Sequence, residues 1–280
     1  MEIAQSPPKS GTGVFSSSAY GVRIGFETSL ELSPYLPNPL IPGGQIEESG
    51  CAPVTFSLRQ TRSSAGQPIF TVAANETPLL SYGDVETAAR ALESQAHQYL
   101  AASAQSVVFV HAGVVSWRGK AILIPGPSRS GKSTLVMALV NAGATYYSDE
   151  YAVLDLEGRV HPFRRLPRLR PDVQSTQLLD AQWAHDPSLD PLTVGLVLST
   201  RFNPSGITRL KRLTPGQTLL TLVENTVAVR RQAEFTIRAL KNAISSALGL
   251  QLERDEASGT AQSILQCINE SWQARKESYE

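Results

Sequence analysis

Residues 121–134 read Ala121-Ile122-Leu123-Ile124-Pro125-Gly126-Pro127-Ser128-Arg129-Ser130-Gly131-Lys132-Ser133-Thr134, and this stretch decides the fold. Its four leading apolar residues have the length of a short buried strand. Lys132 to Asn141 follows as a helix with Leu135, Ala138 and Leu139 on one face, and Gly143 suits its C-terminal cap. Between strand and helix lies Gly-x-x-x-x-Gly-Lys-Ser. The two glycines let the backbone curl so that successive N–H groups can face phosphate oxygens. The helix behind them adds the positive end of its dipole. Lys132 supplies a point charge for the β- and γ-phosphates, and the Ser133 hydroxyl is placed to ligate Mg²⁺. The expectation is a phosphate loop that takes a nucleoside triphosphate and Mg²⁺ through Gly126, Ser128, Arg129, Ser130, Gly131, Lys132, Ser133 and Thr134.

Working outward, Val107 to Val110 precedes the loop strand, with Trp117-Arg118-Gly119-Lys120 as the turn between them. Thr145 to Tyr147, Tyr151 to Leu154 and Thr193 to Thr200 read as further strands, the last of them central. Gln217 to Leu248 reads as mostly helical with Thr214 as N-cap and Gly249 as stop, and Ala261 to Arg275 as a final helix. Strands alternating with helices around a phosphate loop predict an α/β core over 105–280. Upstream, residues 1–12 read as a disordered tail rich in Ser, Pro and Gly. Residues 13–104 form a β-rich N-terminal subdomain, with strand runs at Tyr20 to Phe26, Val54 to Leu58 and Ile69 to Val72. It ends in a helix from Asp84 to Ala104, where Ala88, Ala91, Leu92, Ala96 and Leu100 recur at helical spacing and His97 reads as structural.

The segment Ala144-Thr145-Tyr146-Tyr147-Ser148-Asp149-Glu150 places two adjacent carboxylates 17 and 18 residues after Lys132. Helix, cap and strand fill the interval, so the pair falls at a strand end beside the loop. One carboxylate can ligate Mg²⁺ and the other can accept a proton from an attacking hydroxyl. Arg201, at the end of the Thr193 strand, reads as an ordinary surface arginine or as one that could reach a transferring phosphoryl group. Arg164, Arg165, Arg168 and Arg170 form an extended, proline-interrupted basic run suited to phosphate or an acidic peptide, or to solvent.

His111-Ala112, the strand pair, the Gly126 loop and the Ser148-Asp149-Glu150 end together resemble the catalytic core of bacterial HPr kinase/phosphorylase, over about residues 105–165. His111 stands 21 residues before Lys132, matching the family's spacing. The resemblance implies a phosphoenolpyruvate carboxykinase-like P-loop core. It also implies an ATP-dependent kinase that phosphorylates a serine hydroxyl of a protein or peptide, with a natural-product precursor peptide among the candidates. By position, Asp149 resembles the catalytic acid/base, His111 would lie near the γ-phosphate or the acid pair, and Glu150, where the family carries Asp, would serve Mg²⁺ with Ser133. A homo-oligomer is compatible with the resemblance. A small-molecule kinase on the same core and a non-catalytic nucleotide-sensing module are the alternative readings.

Composition narrows the partners. Lys+Arg and Asp+Glu are both 25, which is unlike the basic balance of a dedicated nucleic-acid binder, so none is expected. Cys51 and Cys267 have no zinc spacing and read as reduced thiols. Neither a membrane span nor a signal peptide is expected, and the location is read as cytoplasmic.

Overall fold

The computed structural model describes residues 12–47, 51–127, 130–163, 190–202, 209–254 and 257–277. Residues 1–11 of the tail expected over 1–12, and the arginine run at 164–170, lie outside them. The chain divides into two compact units, 1–105 and 106–280. Both are mixed α/β.

The first unit holds β1 (Thr12–Ala19), β2 (Val22–Ser29), β3 (Gln45–Glu47), β4 (Thr55–Arg62), β5 (Pro68–Ala74) and β6 (Thr77–Tyr82). They form one sheet in the order β3-β1-β2-β4-β5-β6, antiparallel except for the parallel pair β2 and β4. Tyr20 was expected to open a strand. It instead makes the two-residue β1–β2 turn with Gly21, at φ 51° and 77°, because a tight hairpin requires left-handed backbone at both turn positions. Thr12, expected in the tail, is the first residue of β1. Helix α1 (Val85–Ser103) lies against β2, β4, β5 and β6 and buries Ala88, Ala89, Leu92, Ala96 and Leu100. The Asp84 carboxylate caps it, accepting from the Thr87 N–H at 2.7 Å. His97 is fully buried, its Nε2 at 2.9 Å from the Leu40 carbonyl oxygen, so it ties the helix to a loop of its own unit.

The second unit runs β7 (Val108–Trp117), β8 (Lys120–Pro125), α2 (Lys132–Asn141), β9 (Thr145–Ser148), β10 (Tyr151–Leu154), β11 (Val160–His161), β12 (Thr193–Phe202), β13 (Arg209–Arg212), α3 (Pro215–Glu224), α4 (Ala233–Ile244), β14 (Leu248–Arg254) and α5 (Ala257–Glu277). Strand order is β11-β10-β7-β8-β12-β14-β13, with β9 also on β7. The three strands β8, β12 and β14 are parallel. On one face Ile122, Ile124, Leu196, Leu198, Leu250 and Leu252 pack against Leu135 and Leu139 of α2 and Ile264, Leu265 and Ile268 of α5. On the other face Ala121, Leu123 and Val197 meet Leu222 of α3 and Ala239, Leu240 and Ala243 of α4. Coverage on both faces explains why β8 is apolar without alternation.

The helix expected over 217–248 is three elements. α3 carries the expected Thr214 cap, in a capping box with Gln217, and stops at Glu224. α4 resumes at Ala233, and Leu248 opens β14. Gly249 is therefore no helix stop. It is the second residue of that strand, where α3 approaches so closely that a Cβ would stand 1.9 Å from Thr218 Oγ1. Gly249→Ala should cost about 1–3 kcal/mol by overpacking, seen as a lower urea midpoint with an unchanged m-value; an unaltered midpoint would mean α3 yields freely.

Candidate functional site

The loop leaves the sheet where β8 ends. Gly131 caps α2 at φ 85°, a left-handed conformation that glycine adopts without strain. Lys132, the first helical residue, is only 5% exposed. Its Nζ donates to the carbonyl oxygens of Gly126 and Pro127, both at 2.7 Å. The Ser130 hydroxyl is buried and has no hydrogen-bond partner among the described residues. Ser133 is half-buried and Thr134 exposed, while Ser128 and Arg129 lie outside the described residues.

His111 marks a change of partner along one edge of β7. Ala112 pairs with Pro125, the last residue of β8. Next, the His111 carbonyl accepts the Gly126 N–H at 3.3 Å, and the His111 N–H donates to the Asn225 carbonyl at 2.7 Å. Val110 bridges Thr226, and Phe109 accepts from the Val227 N–H. The chain after α3 thus takes over the edge that β8 abandons, and the loop departs at the changeover. Crevices at the carboxyl ends of parallel strands, where connections diverge, are the usual ligand positions in open α/β sheets. On the opposite edge of β7, Tyr151 pairs with His111 and the Ala112 N–H donates to the Glu150 carbonyl at 3.1 Å. The His111 ring meets that of Tyr151 edge-on, with centroids 5.5 Å apart, and Tyr151 packs in turn on Phe109 and Phe163.

Asp149 and Glu150 form the turn between β9 and β10. Asp149 is 4% exposed, and the Tyr146 hydroxyl donates to its Oδ1 at 3.1 Å. Ser148 Oγ accepts the N–H groups of Glu150 at 3.2 Å and of Tyr151 at 3.1 Å, which fixes the turn. Tyr146 and Ser148 were not singled out from sequence. A hydroxyl two residues before the end of the turn is a recognisable turn signal. Tyr146 and Tyr147 are adjacent in sequence, and the register shifts between them and the partner strand, Val115 pairing with Tyr146 and Val114 with Ser148, so the sequence does not say which of the two meets the acid.

Loop and acids share one electrostatic environment. Burial pushes the Lys132 amine down to about 8, while the charges of Asp149 and then Glu150 draw it back up. Above pH 8 the native amine is increasingly neutral, whereas an unfolded lysine stays protonated up to its ordinary 10.5. The unfolded chain then binds more protons, so this group makes stability rise with pH across that window. Wild type should therefore gain stability relative to Lys132→Met between pH 8 and 10 in urea titrations; a constant gap would contradict the buried amine.

Arg201 is exposed near the end of β12, in register with Glu253 of β14, at the same carboxyl end of the sheet as the loop. Among the described residues no group of three or more His, Cys, Asp or Glu side chains could hold a metal ion. Mg²⁺ held between substrate phosphates and one or two protein oxygens needs no such group. Ser133 at the helix start and Glu150 beside Lys132 fit that arrangement, and the orphaned Ser130 hydroxyl fits an anion in the loop. Both cysteines are free thiols, and no described helix is long and apolar enough to cross a membrane. No protein-family model matches this chain, and no curated protein matches it in sequence.

Proposed function

We propose that this chain is an ATP-dependent kinase that transfers the γ-phosphoryl group to a serine hydroxyl of a protein or peptide. The observation that carries the reading is the buried Lys132 amine, seated in the Gly126 loop within the field of both Asp149 and Glu150. A P-loop followed this closely by two acids, with His111 on the neighbouring strand, supports an HPr-kinase-like phosphotransferase on a phosphoenolpyruvate carboxykinase-like core. The antiparallel β7–β8 pair leading into the loop, and β12 parallel to β8, suit that core.

In this reading the loop N–H groups, the Ser130 hydroxyl and Lys132 bind the triphosphate. A phosphate oxygen is a stronger acceptor for Lys132 than the neutral carbonyls of Gly126 and Pro127. Ser133 and Glu150 would hold Mg²⁺, which supplies neutralisation of the phosphate charge. Asp149, held by Tyr146, accepts the proton of the acceptor hydroxyl as its oxygen bonds to the γ-phosphorus and the bond from phosphorus to ADP breaks. His111, whose carbonyl accepts the Gly126 N–H, would contact the transferring group.

The test is incubation with ATP labelled in the γ-phosphate, Mg²⁺, and a lysate or the products of neighbouring genes, with Asp149→Asn alongside. A labelled protein or peptide that disappears with the variant supports the kinase. Saturable nucleotide binding with no label on any acceptor favours a nucleotide sensor.

A further inference from the structure

Strand β13 is the outer strand of the second sheet, and among the described residues its only strand partner is β14. All four of its side chains, Arg209, Leu210, Lys211 and Arg212, are exposed, Leu210 by 48%. Register sets Arg209 beside Glu253, Leu210 beside Leu252, Lys211 beside Gln251 and Arg212 beside Leu250. Strand alternation therefore puts Arg209 and Lys211 on one face, and Leu210 and Arg212 on the other. Three cations face a single anion on the neighbouring strand. Such an edge repels the equally basic edge of a second copy, which argues against self-pairing. The same charges select an acidic segment.

We propose that β13 binds an extended acidic peptide by strand addition, with acidic residues at alternate positions beside Arg209 and Lys211 and an aliphatic residue beside Leu210. Main-chain pairing supplies the binding, and the alternating side chains supply the selection. The placement suits delivery of an acceptor. β13 runs antiparallel to β14, so Arg209 lies at the carboxyl ends of β12 and β14, the end from which the loop leaves β8. In the order β8-β12-β14-β13, a strand added outside β13 stands four spacings from β8. That is about 19 Å, or roughly six extended residues. The phosphorylated hydroxyl then belongs about six residues outside the paired segment. This delivery role rests on the kinase reading; the binding itself does not.

The test uses a fluorescein-labelled Ser-Glu-Val-Glu-Val-Glu-Ser peptide and the full chain, followed by anisotropy at low salt without nucleotide. Saturable binding is expected. Arg209→Glu/Lys211→Glu, with unchanged circular dichroism because both sites are exposed, should weaken it about 30-fold by turning two attractive cross-strand pairs repulsive. Two further peptides, methylated on all valine or on all glutamate amide nitrogens, should differ by at least about tenfold, because alternate amides point toward β13 and away from it. Because the titration contains no nucleotide, its outcome is independent of the kinase reading, which the label-transfer experiment tests by itself. Absence of binding, equal binding to the reversed variant, or equal effects of the two methylated sets would overturn the proposal.

Discussion

Asp149→Asn should slow phosphoryl transfer about a thousandfold, the range lost when a positioned general base is removed. The substitution preserves shape, and its side-chain carbonyl still accepts from the Tyr146 hydroxyl that now meets Oδ1 at 3.1 Å. Ser148 Oγ accepts two N–H groups of the β9–β10 turn and is untouched by the substitution, so the local fold should survive. Nucleotide affinity should change little, because Asp149 acts on the acceptor and not on the triphosphate. Single-turnover label transfer gives the rate and calorimetry gives the affinity. Full turnover in the variant would remove Asp149 from the chemistry. Equal loss of affinity and rate would make it a nucleotide ligand instead.

Lys132→Met should weaken ATP binding about a hundredfold, since a buried charge-assisted contact to the phosphates is lost without replacement. Lys132→Arg should not rescue it. The amine sits between two loop carbonyls, each at 2.7 Å, in a slot with only 5% of the residue exposed. A planar guanidinium is too wide for that position and directs its donors in a fixed fork. Titration with a fluorescent ATP analogue distinguishes these outcomes. Wild-type affinity in Lys132→Met would mean that the Gly126 loop is a structural turn.

The elements around this site were legible in the sequence to different degrees. β8, α2 and α1 were readable because apolar spacing and end signals agree: Asp84 caps α1, and Gly143 follows α2 at φ 102°. β12 was readable as a central apolar strand. β14 was missed: its first residue, Leu248, was taken as the end of a helix and Gly249 as the stop, although Leu248, Leu250 and Leu252 already alternate, because the amphipathic run before them carried the helical period forward. β13 is too short and too polar to announce itself, and only its pairing with β14 makes it a strand. Within the site, spacing alone put Lys132, Asp149 and Glu150 near one another. The changeover at His111 depends on residues 225–227, more than 100 positions away, and no local pattern encodes it.

The most direct measurement is a calorimetric titration of the full chain with ATP in the presence of Mg²⁺, paired with thermal unfolding at saturating nucleotide. The expected result is one saturable site per chain, weakened in Lys132→Met, with a rise in the unfolding temperature as a ligand that binds only the native state must produce. No heat and no stabilisation at millimolar nucleotide would contradict the account at its root, because every role given to Lys132, Ser133, Asp149 and Glu150 depends on that triphosphate.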